Sequence, residues 1–145
     1  MEKILIPVDS SEFSKRAVEE GVKMAKAFGS RVILLYVANT RINYSSYEIN
    51  LSAQVLQELA DGEVKYAETM LDALKETFGD MADRVETVIR EGHEVDEIVD
   101  YAKESDADML IVGSHGTGSI LRRASLGSVT SKILHHVDKP VLVVK

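Results

Sequence analysis

Met109-Leu-Ile-Val-Gly113-Ser-His-Gly116-Thr-Gly-Ser-Ile-Leu-Arg-Arg-Ala-Ser-Leu-Gly127-Ser128 is the stretch on which the fold of this chain turns. The apolar run Met109 to Val112 ends at Gly113, and Val129-Thr130-Ser131-Lys132-Ile133-Leu134 then reads as a helix. Strand, glycine-rich loop, helix is the order that presents backbone N–H groups to a phosphate. Glycine lets a backbone approach a ligand closely and adopt positive φ. Ser128 and Thr130 add hydroxyl donors near the helix start. Two readings stand on these residues alone: the phosphate loop of a nucleotide site, and a solvent loop with several turn glycines.

The chain before this stretch alternates in the same way. Ile4-Leu5-Ile6-Pro7-Val8 is a continuous apolar run, consistent with a buried strand. Asp9-Ser10-Ser11-Glu12 resembles a helix start, with Glu three residues after Asp as in a capping box. Ala17, Val18, Gly21, Val22, Ala25 and Phe28 form the helical stripe that follows, and Gly29 closes it. Val32 to Val37 is a second strand. Residues 38–50 show no period and read as a loop, long enough to suggest a functional one. Leu51, Val55, Leu56, Leu59, Val64, Ala67, Met70, Leu71, Leu74 and Phe78 mark an amphipathic helix. Gly62 weakens its middle by about 1 kcal/mol against Ala, and Gly79 ends it. Val85 to Arg90 is a third strand, mixed enough in polarity to suit a sheet edge. Val95, Ile98, Val99 and Ala102 give the next helix. A helix from about Ser128 to His136, a turn at Asp138-Lys139-Pro140 and a last strand at Val141 to Val144 complete the chain. Five strands alternating with four helices predict an α/β fold, with a parallel sheet and helices on both faces.

Composition narrows the function. The 145 residues suit one domain, residues 1–145, with 45% hydrophobic and 28% charged residues. A net charge of −7 disfavours nucleic acid as a partner, and no basic run is longer than a pair such as Arg122-Arg123. With no cysteine there is no disulfide, thiolate nucleophile or zinc–thiolate site, which fits a cytoplasmic protein. The first apolar run is too short for a signal peptide core, and no stretch approaches a membrane span.

In a sheet of this kind, ligands sit beyond the carboxyl ends of the strands where strand order reverses. If the first and fourth strands are neighbours, Asp9 faces Gly113–Gly116 across that point. A carboxylate there can accept hydrogen bonds from ribose hydroxyls, and it can also cap a helix; the two roles are compatible. The loop is not a Walker A motif, because Ser119-Ile120 follows Gly118 where Lys is required. GxGxxG fails too, since Ser119-Ile120-Leu121 follows Gly118. His135 and His136 point about 100° apart on a helix and cannot share a metal. His93 begins a helix and reads as structural. His115 can meet a phosphate or water. No GxSxG elbow supports a hydrolytic triad.

With these residues in view, the whole chain resembles the universal stress protein family. Lys3-Ile-Leu-Ile-Pro7-Val8-Asp9-Ser10-Ser11 is similar to that family's opening strand and Asp. Asp108-Met-Leu-Ile-Val-Gly113-Ser-His-Gly116, with Leu126-Gly127-Ser128-Val129, is similar to its signature. Asp138-Lys139-Pro140-Val-Leu-Val-Val matches its closing strand. The family's nucleotide-binding branch carries Gly, two residues, Gly, nine residues, then Gly-Ser or Gly-Thr. Here ten residues, Thr117 to Leu126, separate Gly116 from Gly127.

The resemblance implies a doubly wound, Rossmann-like domain with sheet order 3-2-1-4-5. It implies ATP as ligand, with Mg or Mn. Pro7, Val8, Asp9 and Val37 would line the adenine and ribose side. Gly113, Ser114, His115, Gly116, Gly127, Ser128 and Val129 would hold the phosphates. The family often dimerises through its last strand. That strand here, Val141 to Val144, is apolar on both faces and would be an exposed edge, so a homodimer is expected. Three functional classes follow: a nucleotide-binding regulatory protein in a stress response, a slow ATPase or phosphotransferase, and a protein that works through protein contacts without nucleotide. No Lys or positioned base supports the second, and the extra loop residue is the only support for the third.

Overall fold

The computed structural model describes residues 1–39, 52–117 and 126–145. Five strands form one parallel sheet: β1 (Lys3–Pro7), β2 (Arg31–Ala38), β3 (Val85–Glu91), β4 (Met109–Gly113) and β5 (Val141–Val144). Four α-helices connect them: α1 (Glu12–Phe28), α2 (Ala53–Glu76), α3 (Glu94–Glu104) and α4 (Ser128–His136). The strand order is β3-β2-β1-β4-β5, so β3 and β5 are the edges, as expected.

The strands' period of two sorts their side chains between two cores. Ile4 and Ile6 of β1, Val32 and Leu34 of β2, and Met109 and Ile111 of β4 face Ala17, Val18 and Ala25 of α1 and Leu71 of α2. Leu5, Ile33, Leu35, Leu110 and Val112 point the other way, toward Val95, Ile98 and Val99 of α3 and Ile133 of α4. Both faces of the central strands are therefore buried, which is why they read as unbroken apolar runs.

Local expectations change in α1 and α2. The N-cap of α1 is Ser11, whose hydroxyl accepts from the Ser14 N–H at 3.1 Å. Asp9 is not the cap; its Oδ1 accepts from the Ser11 N–H at 2.8 Å and braces the capping residue. Gly62 leaves α2 unbroken, and a Cβ there would meet nothing within 4 Å. Only the later part of α2 packs on the sheet: Val55, Leu56 and Leu59 are exposed at 37%, 39% and 46%, while Ala67 and Leu71 are buried. After α2 the fully buried Phe78 leads into a 3-10 turn, Gly79–Arg84, that the periodicity did not reveal.

The sheet opens where the site must be. Registered pairs run the length of β1 against β2, from Lys3↔Arg31 to Pro7↔Leu35. Against β4 they stop at Leu5↔Leu110. Beyond that row β1 and β4 part, and the chain leaves β1 toward one face of the sheet and β4 toward the other. Among the described residues no helix is long and apolar enough to cross a membrane.

Candidate functional site

A cleft of about 540 Å³ lies at this parting. That is within the range of small-molecule sites, roughly 300–1,000 Å³. Pro7, Val8 and Asp9 from the end of β1 form one wall. Gly113, His115, Gly116 and Thr117 after β4, and Gly127, Ser128 and Val129 at the start of α4, form another. Ile98, Val112 and Ile133 make an apolar floor.

Nine of the eleven expected site residues thus meet in one place. Ser114 lies just beneath, buried, its hydroxyl 2.9 Å from His115 Nδ1 and its N–H donating to the Val144 carbonyl at 2.8 Å. Val37 does not line the cleft; it packs half-buried against the α3 side of the sheet. Arg122 and Arg123 lie outside the described residues, as does the 40–50 part of the expected loop.

The glycines are there for space. Gly113, Gly116 and Gly127 all avoid the left-handed region. A Cβ on Gly113 would stand 2.8 Å from the Phe13 backbone carbon of α1. One on Gly116 would stand 3.1 Å from Asp9 Oδ2, so loop and carboxylate do face each other. One on Gly127 would stand 3.0 Å from His115 Cα and 3.6 Å from the Gly116 nitrogen. The Gly127 N–H donates to the Ser114 carbonyl at 2.8 Å and ties the helix start to the loop start. Ten residues between Gly116 and Gly127 therefore still let the two glycines touch.

This closure aims the N-terminus of α4 at the cleft. Helix geometry leaves the N–H groups of Ser128, Val129 and Thr130 without intrahelical acceptors. Gly127, the N-cap, has no side chain to satisfy them. Those dipoles favour an anion. The Thr130 hydroxyl, expected as a further donor, is committed elsewhere: it donates to the Gly113 carbonyl at 2.7 Å and pins α4 to the end of β4. His115 is held by Ser114 and by the Phe13 ring, 5.0 Å away between centroids.

Two carboxylates share the cleft wall. The Asp9 N–H donates to Ser14 Oγ at 3.0 Å, which fixes the residue's direction. Glu94, the first residue of α3, lines the same cleft. Glu94 is an exposed residue on the wall of that cleft. Lost hydration first, and the Asp9 charge second, push its pKa up, with His93 opposing. Sequence reading missed Glu94 because it sits outside every motif; the signal available was its place just after a strand's carboxyl end, at the start of a helix. Among the described residues no cluster of three His, Asp or Glu side chains is arranged to hold a metal.

A family model for the universal stress protein family matches residues 1–145. The chain belongs to the universal stress protein family. A universal stress protein of Methanocaldococcus jannaschii, MJ0531, is 32% identical over 144 residues, 99% of this chain and 81% of that protein. The structure of universal stress protein UspA from Lactobacillus plantarum is similar with a TM-score of 0.86 and 30% identity, covering 99% of this chain and 97% of that one. A universal stress protein in complex with cAMP is similar at a TM-score of 0.62 and 25% identity, covering 99% and 96% of the two chains. As a universal stress protein, the chain has the family's sheet order.

Proposed function

We propose that this universal stress protein binds ATP, with Mg or Mn on its phosphates, and acts as a homodimeric regulator in a stress response. The observation that carries the reading is the uncapped start of α4, closed by Gly127 onto Ser114–Gly116 and facing Asp9 across one cleft. A nucleotide has the matching polarity: phosphates for the N–H groups, a flat apolar base for the floor, and ribose hydroxyls for the carboxylate. The similar protein held in complex with cAMP supports an adenine nucleotide as the ligand class. With no cluster of three metal-ligating side chains among the described residues, the phosphates would supply most of the cation's ligands.

Two measurements test this. Protein denatured after purification is expected to release an adenine nucleotide on chromatography, and calorimetric titration with ATP and magnesium is expected to show saturable heat. Absence of both would overturn the reading. Gly127→Val is expected to abolish binding while the far-UV circular dichroism is kept. Its side chain would force His115 and Ser114 away from the helix start. Unchanged affinity in that variant would show that the phosphates bind elsewhere.

A further inference from the structure

We propose that Glu94 is a specificity-determining residue which, with Asp9, reads the two neighbouring hydroxyls of a ribose. The proposal rests on the nucleotide reading of the cleft and adds to it a residue outside the glycine loop. Three observations converge on it. First, the cleft wall carries both the N–H donors at the start of α4 and the acceptor carboxylates of Asp9 and Glu94. Among the described lining residues there is no Lys or Arg to neutralise the two carboxylates.

Second, Glu94 has no hydrogen bond or ion pair to another described residue. A carboxylate that shares a cleft with a second carboxylate and has no protein donor keeps its acceptor oxygens open to an incoming hydroxyl. Groups left in that condition inside a cleft gather at functional sites. Third, part of the accepting capacity of Asp9 is already used. Its Oδ1 is engaged by the Ser11 N–H, and Oδ2 is the oxygen that faces Gly116. A ribose carries two O–H donors side by side. One free oxygen of Asp9 serves one of them, and Glu94 supplies the second acceptor. An ionised carboxylate only accepts, so it suits a hydroxyl and repels a phosphate. This fixes which end of the nucleotide lies beside Glu94.

The test compares ligands on wild type, Glu94→Ala and Glu94→Gln by calorimetry with magnesium present. The ligands are ATP, 2′,3′-dideoxy-ATP and inosine triphosphate, which keeps the diol and lacks the amine. Wild type is expected to favour ATP over the dideoxy ligand by on the order of tenfold or more, the worth of hydrogen bonds to a charged acceptor. Glu94→Ala is expected to shrink that ratio by about tenfold, and Glu94→Gln, which keeps one acceptor oxygen, to shrink it less. A merely structural role would weaken all three ligands alike and leave the ratio unchanged. Folding is not expected to interfere: a carboxyl whose pKa is raised on folding favours the folded state most below its unfolded pKa and loses that as pH rises. Glu94→Gln should therefore keep or raise the thermal midpoint at neutral pH. Equal wild-type affinity for ATP and the dideoxy ligand would overturn the proposal, as would an undiminished ratio in Glu94→Ala. A preference for ATP over inosine triphosphate that vanishes in Glu94→Ala would assign the carboxylate to the base and overturn it too. Wild type that binds none of the three would remove the nucleotide reading itself.

Discussion

Gly113 and Gly116 stand three residues apart in the same signature and serve different ends. A Cβ on Gly113 would meet backbone atoms of Phe13, at 2.8 Å to its carbon and 2.9 Å to its oxygen. Backbone inside a helix cannot swing aside as a side-chain tip can. The position therefore sets how closely β4 lies beneath α1. Gly113→Ala is expected to destabilise by about 1–3 kcal/mol, the usual scale of overpacking, read as a lower urea midpoint with an unchanged slope. At Gly116 the nearest atom is Asp9 Oδ2, the end of a side chain, at 3.1 Å. Gly116→Ala is expected to cost less stability and more of the ligand affinity. A Gly113→Ala midpoint equal to wild type would mean that α1 and β4 have slack that the geometry denies. Space and ligand contact are thus divided within one motif, and motif spelling alone does not separate them.

At the scale of elements, the legible parts were those where one physical cause acts alone. Strands buried on both faces must be apolar throughout, so β1, β2 and β4 stood out in the sequence. Mixed polarity marked β3 as an edge, where the structure puts it. The start of α2 was misread as core because Val55, Leu56 and Leu59 have helical spacing, and spacing cannot say whether a sheet lies within reach. Capping-box spacing to Glu12 put the cap on Asp9, and a Ser two residues later suits the role equally well. Only the hydrogen bond from the Ser14 N–H to Ser11 decides it. Of the site, the glycine signature and Asp9 were legible, and Glu94 was not, because it reaches the cleft through tertiary placement of α3. The cap has a testable consequence. Ser11 is buried, and its hydroxyl is the acceptor that the first turn of α1 has at this end. Ser11→Ala is expected to destabilise by about 0.5–2 kcal/mol, and Ser11→Asp, which keeps an acceptor, to recover part of it. Equal stability of Ser11→Ala and wild type would move the cap elsewhere.

For the molecule as a whole, the unresolved demand is the open edge at β5. Val141, Leu142, Val143 and Val144 pair with β4 on one side only. Among the described residues, the N–H and C=O groups on its outer side have no sheet partner. Leu142 is 38% exposed on the edge, and no charge interrupts the strand before Lys145. Such an edge is relieved by the same strand of a second copy, which supplies both backbone partners and apolar cover. Short strands add little area, so the association depends on the flanking surfaces as well and on charge. Each copy carries a net charge of −7, and two copies repel at low ionic strength. Sedimentation at micromolar concentration is therefore expected to show a dimer whose population grows with added salt. Leu142→Lys is expected to shift the protein to monomer without altering its circular dichroism, because Lys on an edge blocks strand pairing and Leu142 contributes little to the core. Wild type that sediments as a monomer at high salt would refute the β5 interface. A Leu142→Lys variant that stays dimeric would place the contact on another face of the molecule.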